Sequence, residues 1–272
     1  MKALRHLTGL RPLLVFGLLL CAATTPLAPA QAHENNHDAA HTLLQQADDV
    51  RNPRQSYRVT STLIEYRNGK EISRNQLAVF TRYDADTQQF RNLIRFLQPR
   101  RDNGKLLLKD GADLWFYDPA GKASIRISAQ QRLLGQAANG DVVTTDLIRD
   151  YSAIQAGRAT LQDAEGQNRD TIQLDLSARR ADVTYARMQL WLDPKNGQSV
   201  KAALYAQSGT LLKTAWFRHY KPALGQLRPT ETIIIDGLNP QLVTVIQSQD
   251  HQAMDVPAQW LQRQALENFN GR

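Results

Sequence analysis

Cysteine is nearly absent: the 272 residues hold one, Cys21, in an apolar run close to the N-terminus. A chain that is exported and loses that run has no disulfide, no thiol nucleophile and no thiolate metal site. Enzyme signatures are lacking too. There is no Gly-x-Ser-x-Gly, no phosphate-cradling glycine loop and no His-Glu-x-x-His. Past the N-terminus no apolar stretch reaches the length of about 18 residues that marks a membrane-spanning helix. Proline and glycine number 11 and 15, too few for a collagen-like or low-complexity chain.

What the N-terminus does have is a three-part leader. Met1 to Arg11 carries Lys2, Arg5 and Arg11 and no acid, Leu13 to Ala23 is almost wholly apolar, and Ala30-Gln31-Ala32 offers small residues to a peptidase. A signal peptide over residues 1–32, cleaved after Ala32, is expected. Leu20 stands before Cys21 where lipid modification would want a small residue. Removing these 32 residues, with three basic and no acidic side chains, leaves 240 residues with 30 basic side chains against 26 acidic, a net charge of +4. That excess is too mild for a nucleic-acid partner. Residues 33–272 read as a single domain, long enough to bury about 70% of its unfolded surface.

The pattern along that domain is mostly of period two. Ala39, Leu43, Leu44, Ala47 and Val50 first predict a helix, with Asp38 as its N-cap and Asn52-Pro53 as its end. Alternating strands follow, joined by Asn68-Gly69, Asn103-Gly104, Asp110-Gly111, Lys195-Asn196-Gly197 and Ser208-Gly209. About ten to eleven strands in an antiparallel meander are predicted, mainly β with a few helices. Helical stretches are expected at Ser128–Leu134, at Thr145–Ala153 and from Pro257 to the end. Several strands are apolar on both faces, Ile233-Ile234-Ile235 and Leu242 to Ile246 among them. Such faces must pack on something other than water.

Two groups of residues could carry chemistry. His33, His37 and His41 are spaced four apart, which on a helix stacks imidazoles that can hold Zn²⁺ or Cu²⁺; a solvated leader is the favoured reading, so no metal and no cofactor are expected. The stretch Trp115 to Leu147 is richer. Trp115 and Tyr117 share one strand face, and Arg126 could pair with Asp141 or Asp146 to fix an insertion over the sheet.

The run Trp115-x-Tyr117-x-Pro119, then Arg126-Ile127-Ser128, Gly140-Asp141 and Asp146-Leu147, resembles the outer-membrane lipoprotein-sorting (LolA-like) family, and within it an uncharacterised periplasmic branch. The opening helix with Leu43, Leu44 and Asp48, and Pro257 before the tail, fit as well, so the resemblance runs from about Ala40 to Phe269. Val142 stands where the branch often has an aromatic residue. The resemblance implies an open, unclosed antiparallel β-barrel with capping helices over its concave face, and an apolar cavity that takes acyl chains of a lipoprotein or lipid. A filled cavity would then account for strands apolar on both faces. Expected wall residues are Trp115, Tyr117, Phe80, Phe96, Met188, Leu190 and Trp216, with Leu133, Leu134, Leu147 and Ile148 from the lid and Arg126, Asp141 and Asp146 as its latch. The implied function is a monomeric periplasmic carrier without a catalytic group, its partners acyl chains and an inner-membrane exporter of the RND type. An accessory or sensory docking subunit on the same fold is the alternative, and an enzyme, including a metal enzyme built on His33, comes third.

Overall fold

The structure is a computed structural model that describes residues 29–270, with side chains from Asn36 onward. The expected leader up to residue 28, with Cys21, and the side chain of His33 lie outside the described residues. Helix α1 (Pro29–Arg51) begins ten residues before the sequence pattern does, so Asp38 sits inside it, and it ends where Asn52-Pro53 predicts. Ala40, Leu44 and Ala47 form its buried stripe.

The strands follow in turn: β1 (Tyr57–Arg67), β2 (Lys70–Asp84), β3 (Gln89–Gln98), β4 (Leu106–Asp110), β5 (Asp113–Asp118) and β6 (Ala123–Ile127). A short hairpin of β7 (Arg132–Leu134) and β8 (Ala137–Ala138) leads to two single-turn helices, α2 (Asn139–Val142) and α3 (Leu147–Asp150). Then come β9 (Tyr151–Gln162), β10 (Asn168–Ala178), β11 (Arg187–Leu192), β12 (Ser199–Tyr205), β13 (Leu211–Ala223), β14 (Gln226–Asp236) and β15 (Leu242–Ala253). The insertion is thus shorter in helix than its sequence suggests. Ser128–Leu134 ends as a strand, and β9 starts at Tyr151, inside the expected second helix.

Thirteen strands make one antiparallel sheet, in the order β6-β5-β4-β3-β2-β1-β15-β14-β13-β12-β11-β10-β9. That is two or three more than predicted, chiefly because β9 carries little apolar alternation and begins inside the expected second helix. First and last strands meet in its middle, Leu63 opposite Ile246. The two edges, β6 and β9, are neighbours in sequence, and residues 128–150 run between them. At the β1–β2 turn Asn68 and Gly69 both have positive φ, 51° and 75°, the turn that matches strand twist.

The inner face carries α1 and the insertion; the outer face is partly covered by the chain's end. Beyond Val256 two 3₁₀ segments, Ala258–Leu261 and Arg263–Asn268, replace the expected helix. They bring Val256, Leu261, Leu266, Trp260 and Phe269 against Ala78, Phe80, Leu93, Leu106 and Leu108 on the outer side of β2, β3 and β4. Leu106, Leu107 and Leu108 are all buried. Their strand is apolar on both faces because the tail covers one. On β14 and β15 the outward members of the doubly apolar runs, Ile233, Ile235, Val243 and Val245, stay half-exposed.

Candidate functional site

Inward residues of β1, β2 and β11–β15 enclose a cavity of about 220 Å³, well above the ~10–15 Å³ that one water needs. Its walls are mostly apolar, with Val59, Val79, Met188, Leu190, Ala215 and Ile234 among them, interrupted by Ser61, Thr81, Thr232 and Ser248. Val142, Val143 and Leu147 of the insertion form its roof. The end of α1 brings Arg51, Asn52 and Pro53 to it, and Arg228 and His251 add the basic side chains from the strands. Beyond the insertion lies a second, wider hollow of about 610 Å³, lined by Leu77, Phe96, Phe116, Leu133 and Leu134 but also by Arg101, Asp102, Lys105 and Arg132.

The insertion between them is held at several points. Asn92 on β3 donates to the Thr144 hydroxyl at 3.0 Å and accepts from the Thr144 N–H at 2.9 Å. Lys109 donates to the Thr144 carbonyl. Asp48 on α1 accepts from the Leu147 N–H and from Asn52, both at 2.9 Å. Burial is the main cause that pushes its carboxyl up to about 6; the Leu147 N–H opposes it. The Gln136 N–H donates to Thr244 at 2.7 Å. Asp141 accepts from the Tyr185 hydroxyl at 2.8 Å and from the Ala138 N–H at 2.8 Å. Lys213 donates to the Tyr185 oxygen at 3.0 Å and lies 3.4 Å from Asp141. Burial first, then the charge of Asp141, holds the Tyr185 hydroxyl well above its ordinary range, so it stays a donor.

Of the expected latch, then, Asp141 has the clamping role with other partners. Arg126 does not meet it. Arg126 is exposed on edge strand β6 and pairs with Asp113 across β5. Asp146 caps α3 by accepting from the Arg149 N–H at 3.0 Å. Lys213→Met is expected to cost about 1.5 kcal/mol, the worth of a charged hydrogen bond, and to speed hydrogen exchange at the Ala138 amide. Exchange unchanged from wild type would remove Lys213 from the clamp.

The expected wall residues divide by strand parity. Met188, Leu190 and Leu147 line the first cavity; Phe96, Leu133 and Leu134 line the second. Ile148 is half-buried and packs beside the first among α1 and β9 residues. Phe80, Trp115 and Tyr117 face outward under the tail, where the Arg263 guanidinium lies 4.1 Å from the Trp115 ring centre. Trp216 also faces outward, 5.0 Å from the Lys201 ammonium, which Trp191 flanks at 4.9 Å. These four are corrected: they share a strand with inward residues but alternate to the other face. His37 and His41 are exposed on α1, and no cluster of three or more His, Cys, Asp or Glu with metal-binding geometry occurs among the described residues. Sequence reading missed Arg51, Tyr185 and Lys213. Lys213 had a signal: it shares parity with Ala215 and Phe217, a charge on an otherwise apolar inward face.

The unclosed antiparallel sheet under its roof is a fold this chain shares with LolA-like proteins of known structure. A family model described as "uncharacterized protein" matches residues 88–268, and the chain belongs to that family. A LolA superfamily protein from Nitrosomonas europaea is 28% identical, with a TM-score of 0.74 over 83% of this chain and 98% of that one. A domain from Vibrio parahaemolyticus assigned as an outer membrane lipoprotein-sorting protein is 20% identical, with a TM-score of 0.73 over 85% of this chain and 100% of that one. A DUF1329 family protein from Desulfovibrio piger has the same identity and TM-score over 85% of this chain and 99% of its own. No curated protein matches the sequence. No helix among the described residues is long and apolar enough to cross a membrane.

Proposed function

We propose that the roofed cavity receives an acyl chain, and that the protein is a periplasmic carrier which moves lipid or lipoprotein acyl chains toward the outer membrane. The observation that carries this is the cavity itself, an apolar hollow on the inner face whose walls come from seven strands. Water gains little there, whereas each buried methylene contributes about 0.8 kcal/mol. Binding of this kind is non-directional and needs no catalytic group and no cofactor. Export by the leader and service of an RND-type exporter belong to the same reading, as does action as a monomer.

The test is mass spectrometry of lipid co-purifying with the protein prepared without harsh detergent. Ala202 is 4% exposed on the cavity wall. Ala202→Phe is expected to fill the space and remove bound lipid while leaving the unfolding temperature unchanged or higher. A wild type that carries no lipid and takes up none from vesicles overturns the carrier. The docking subunit would then stand, favoured by the half-exposed outer row of Ile233, Val245 and Trp216.

A further inference from the structure

Arg51 is the last residue of α1 and lines the apolar cavity, yet it is exposed and makes no hydrogen bond or ion pair with any described residue. The other arginine on the lining differs. Arg228 is buried and spends its donors on the carbonyls of Val50, Asp49 and Ala223. The nearby acids are already hydrogen-bonded to other groups, although the charge of Arg51 reaches Asp48 three residues back on α1. Asp141 on the lining is taken up by Tyr185, Lys213 and the Ala138 N–H, and Asp48 by Asn52 and the Leu147 N–H. The charge of Arg51 reaches across the hollow. It favours ionisation of the phenols of Tyr57, Tyr151 and Tyr185, which stand on different walls and which burial holds up.

We propose that the cavity selects anionic amphiphiles, with a carboxylate or phosphate head group on Arg51 and the tail against Met188, Leu190 and Ile234. This rests on the reading that the cavity takes acyl chains and names the class of ligand. A guanidinium offers paired donors that match a carboxylate or phosphate. A tail filling the hollow strips water from Arg51. An uncharged or cationic head group leaves that charge without a partner, a penalty that works as rejection. A head group carrying its own negative charge removes it.

The experiment is displacement of a neutral apolar dye, N-phenyl-1-naphthylamine, by decanoate, decyl phosphate, decanol and inorganic phosphate. Decanoate and decyl phosphate are expected to displace it at concentrations at least tenfold below decanol. Inorganic phosphate is expected to have no effect. Arg51→Gln is expected to bring the anionic ligands to within about twofold of decanol and to leave decanol as potent as before or more so, since the unpartnered charge is gone. Because Arg51 has no partner to lose, this variant folds as the wild type does. Equal potency of decanoate and decanol in the wild type, a preference retained in Arg51→Gln, or displacement by inorganic phosphate each overturns the anionic selection while the acyl cavity stands. Failure of every amphiphile to displace the dye overturns both.

Discussion

Gly140→Ala is expected to unseat the insertion and to lower stability by about 3 kcal/mol, the upper part of the range for overpacked sites. A Cβ on Gly140 would lie 1.8 Å from the Thr184 hydroxyl oxygen, 2.8 Å from Thr184 Cβ and 2.9 Å from its methyl carbon. Rotating the threonine moves the first and last of these atoms. The Cβ is fixed by the backbone, so α2 itself must shift. That shift carries away Asp141, the next residue, from Tyr185 and Lys213. It also breaks the bonds from the Asn139 and Gly140 N–H groups to the carbonyls of Gln131 and Ala129, 2.8 and 2.9 Å long. For a domain of this size the loss corresponds to a drop in Tm on the order of 10 °C. Hydrogen exchange at the Asn139 and Gly140 amides should rise with it. Adding Thr184→Gly removes all three clashing atoms and is expected to restore the exchange pattern. A Gly140→Ala protein with the wild-type Tm would mean that the insertion has slack that this geometry does not contain.

Asp48→Asn is expected to stabilise the protein, by up to about 3 kcal/mol above pH 7 and by nothing near pH 4. Asp48 is 3% exposed, and burial is the largest cause that lifts its carboxyl from 3.8 to about 6. The folded protein therefore takes up this proton at a higher pH than the unfolded chain does. Its contribution to stability is greatest below about 3.8, declines as pH rises toward about 6, and stays low above that. The interval between the two values corresponds to about 3 kcal/mol. Both hydrogen bonds that reach Asp48, from Leu147 N–H and Asn52 Nδ2, end on Oδ1. An asparagine keeps that oxygen and drops the buried charge. Urea midpoints at pH 4, 6 and 8 check this by the difference between variant and wild type, from which the titration of Asp150 and Lys109 cancels. A difference independent of pH would show that Asp48 does not titrate in this interval.

Much of the frame was legible because period two and turn chemistry are local. Asn68-Gly69 marks its hairpin, and the parity of Met188, Leu190 and Leu192 places them together on the inner face. What local pattern could not settle was which side of a strand is the inside. Where both faces are apolar, as from Leu106 to Leu108, alternation has no polar side to read. The covering tail that decides the matter lies more than a hundred residues away in sequence. Phe80, Trp115 and Tyr117 lie beneath that tail, on faces that alternation alone does not place. The insertion failed differently. Ser128 ahead of Leu133-Leu134 reads as a capped helix, yet Leu133 and Leu134 pack in a hairpin against Phe96 and the inner sheet. Short segments of this kind take their form from what they lie on. Charge was the overlooked signal. Arg51 and Lys213 are basic residues at positions where the pattern points inward, and both belong to the site.

The order of strands has a mechanical corollary. Since residues 128–150 join one margin of the sheet to the other, they act as a strap across a bowl, and the length of the strap fixes how wide the bowl can spread. On the proposed carrier reading, a bulkier acyl chain needs slack in the strap before any wall can yield. Lengthening it, away from Gly140 and Asp141, would widen the range of guests without touching a single wall residue.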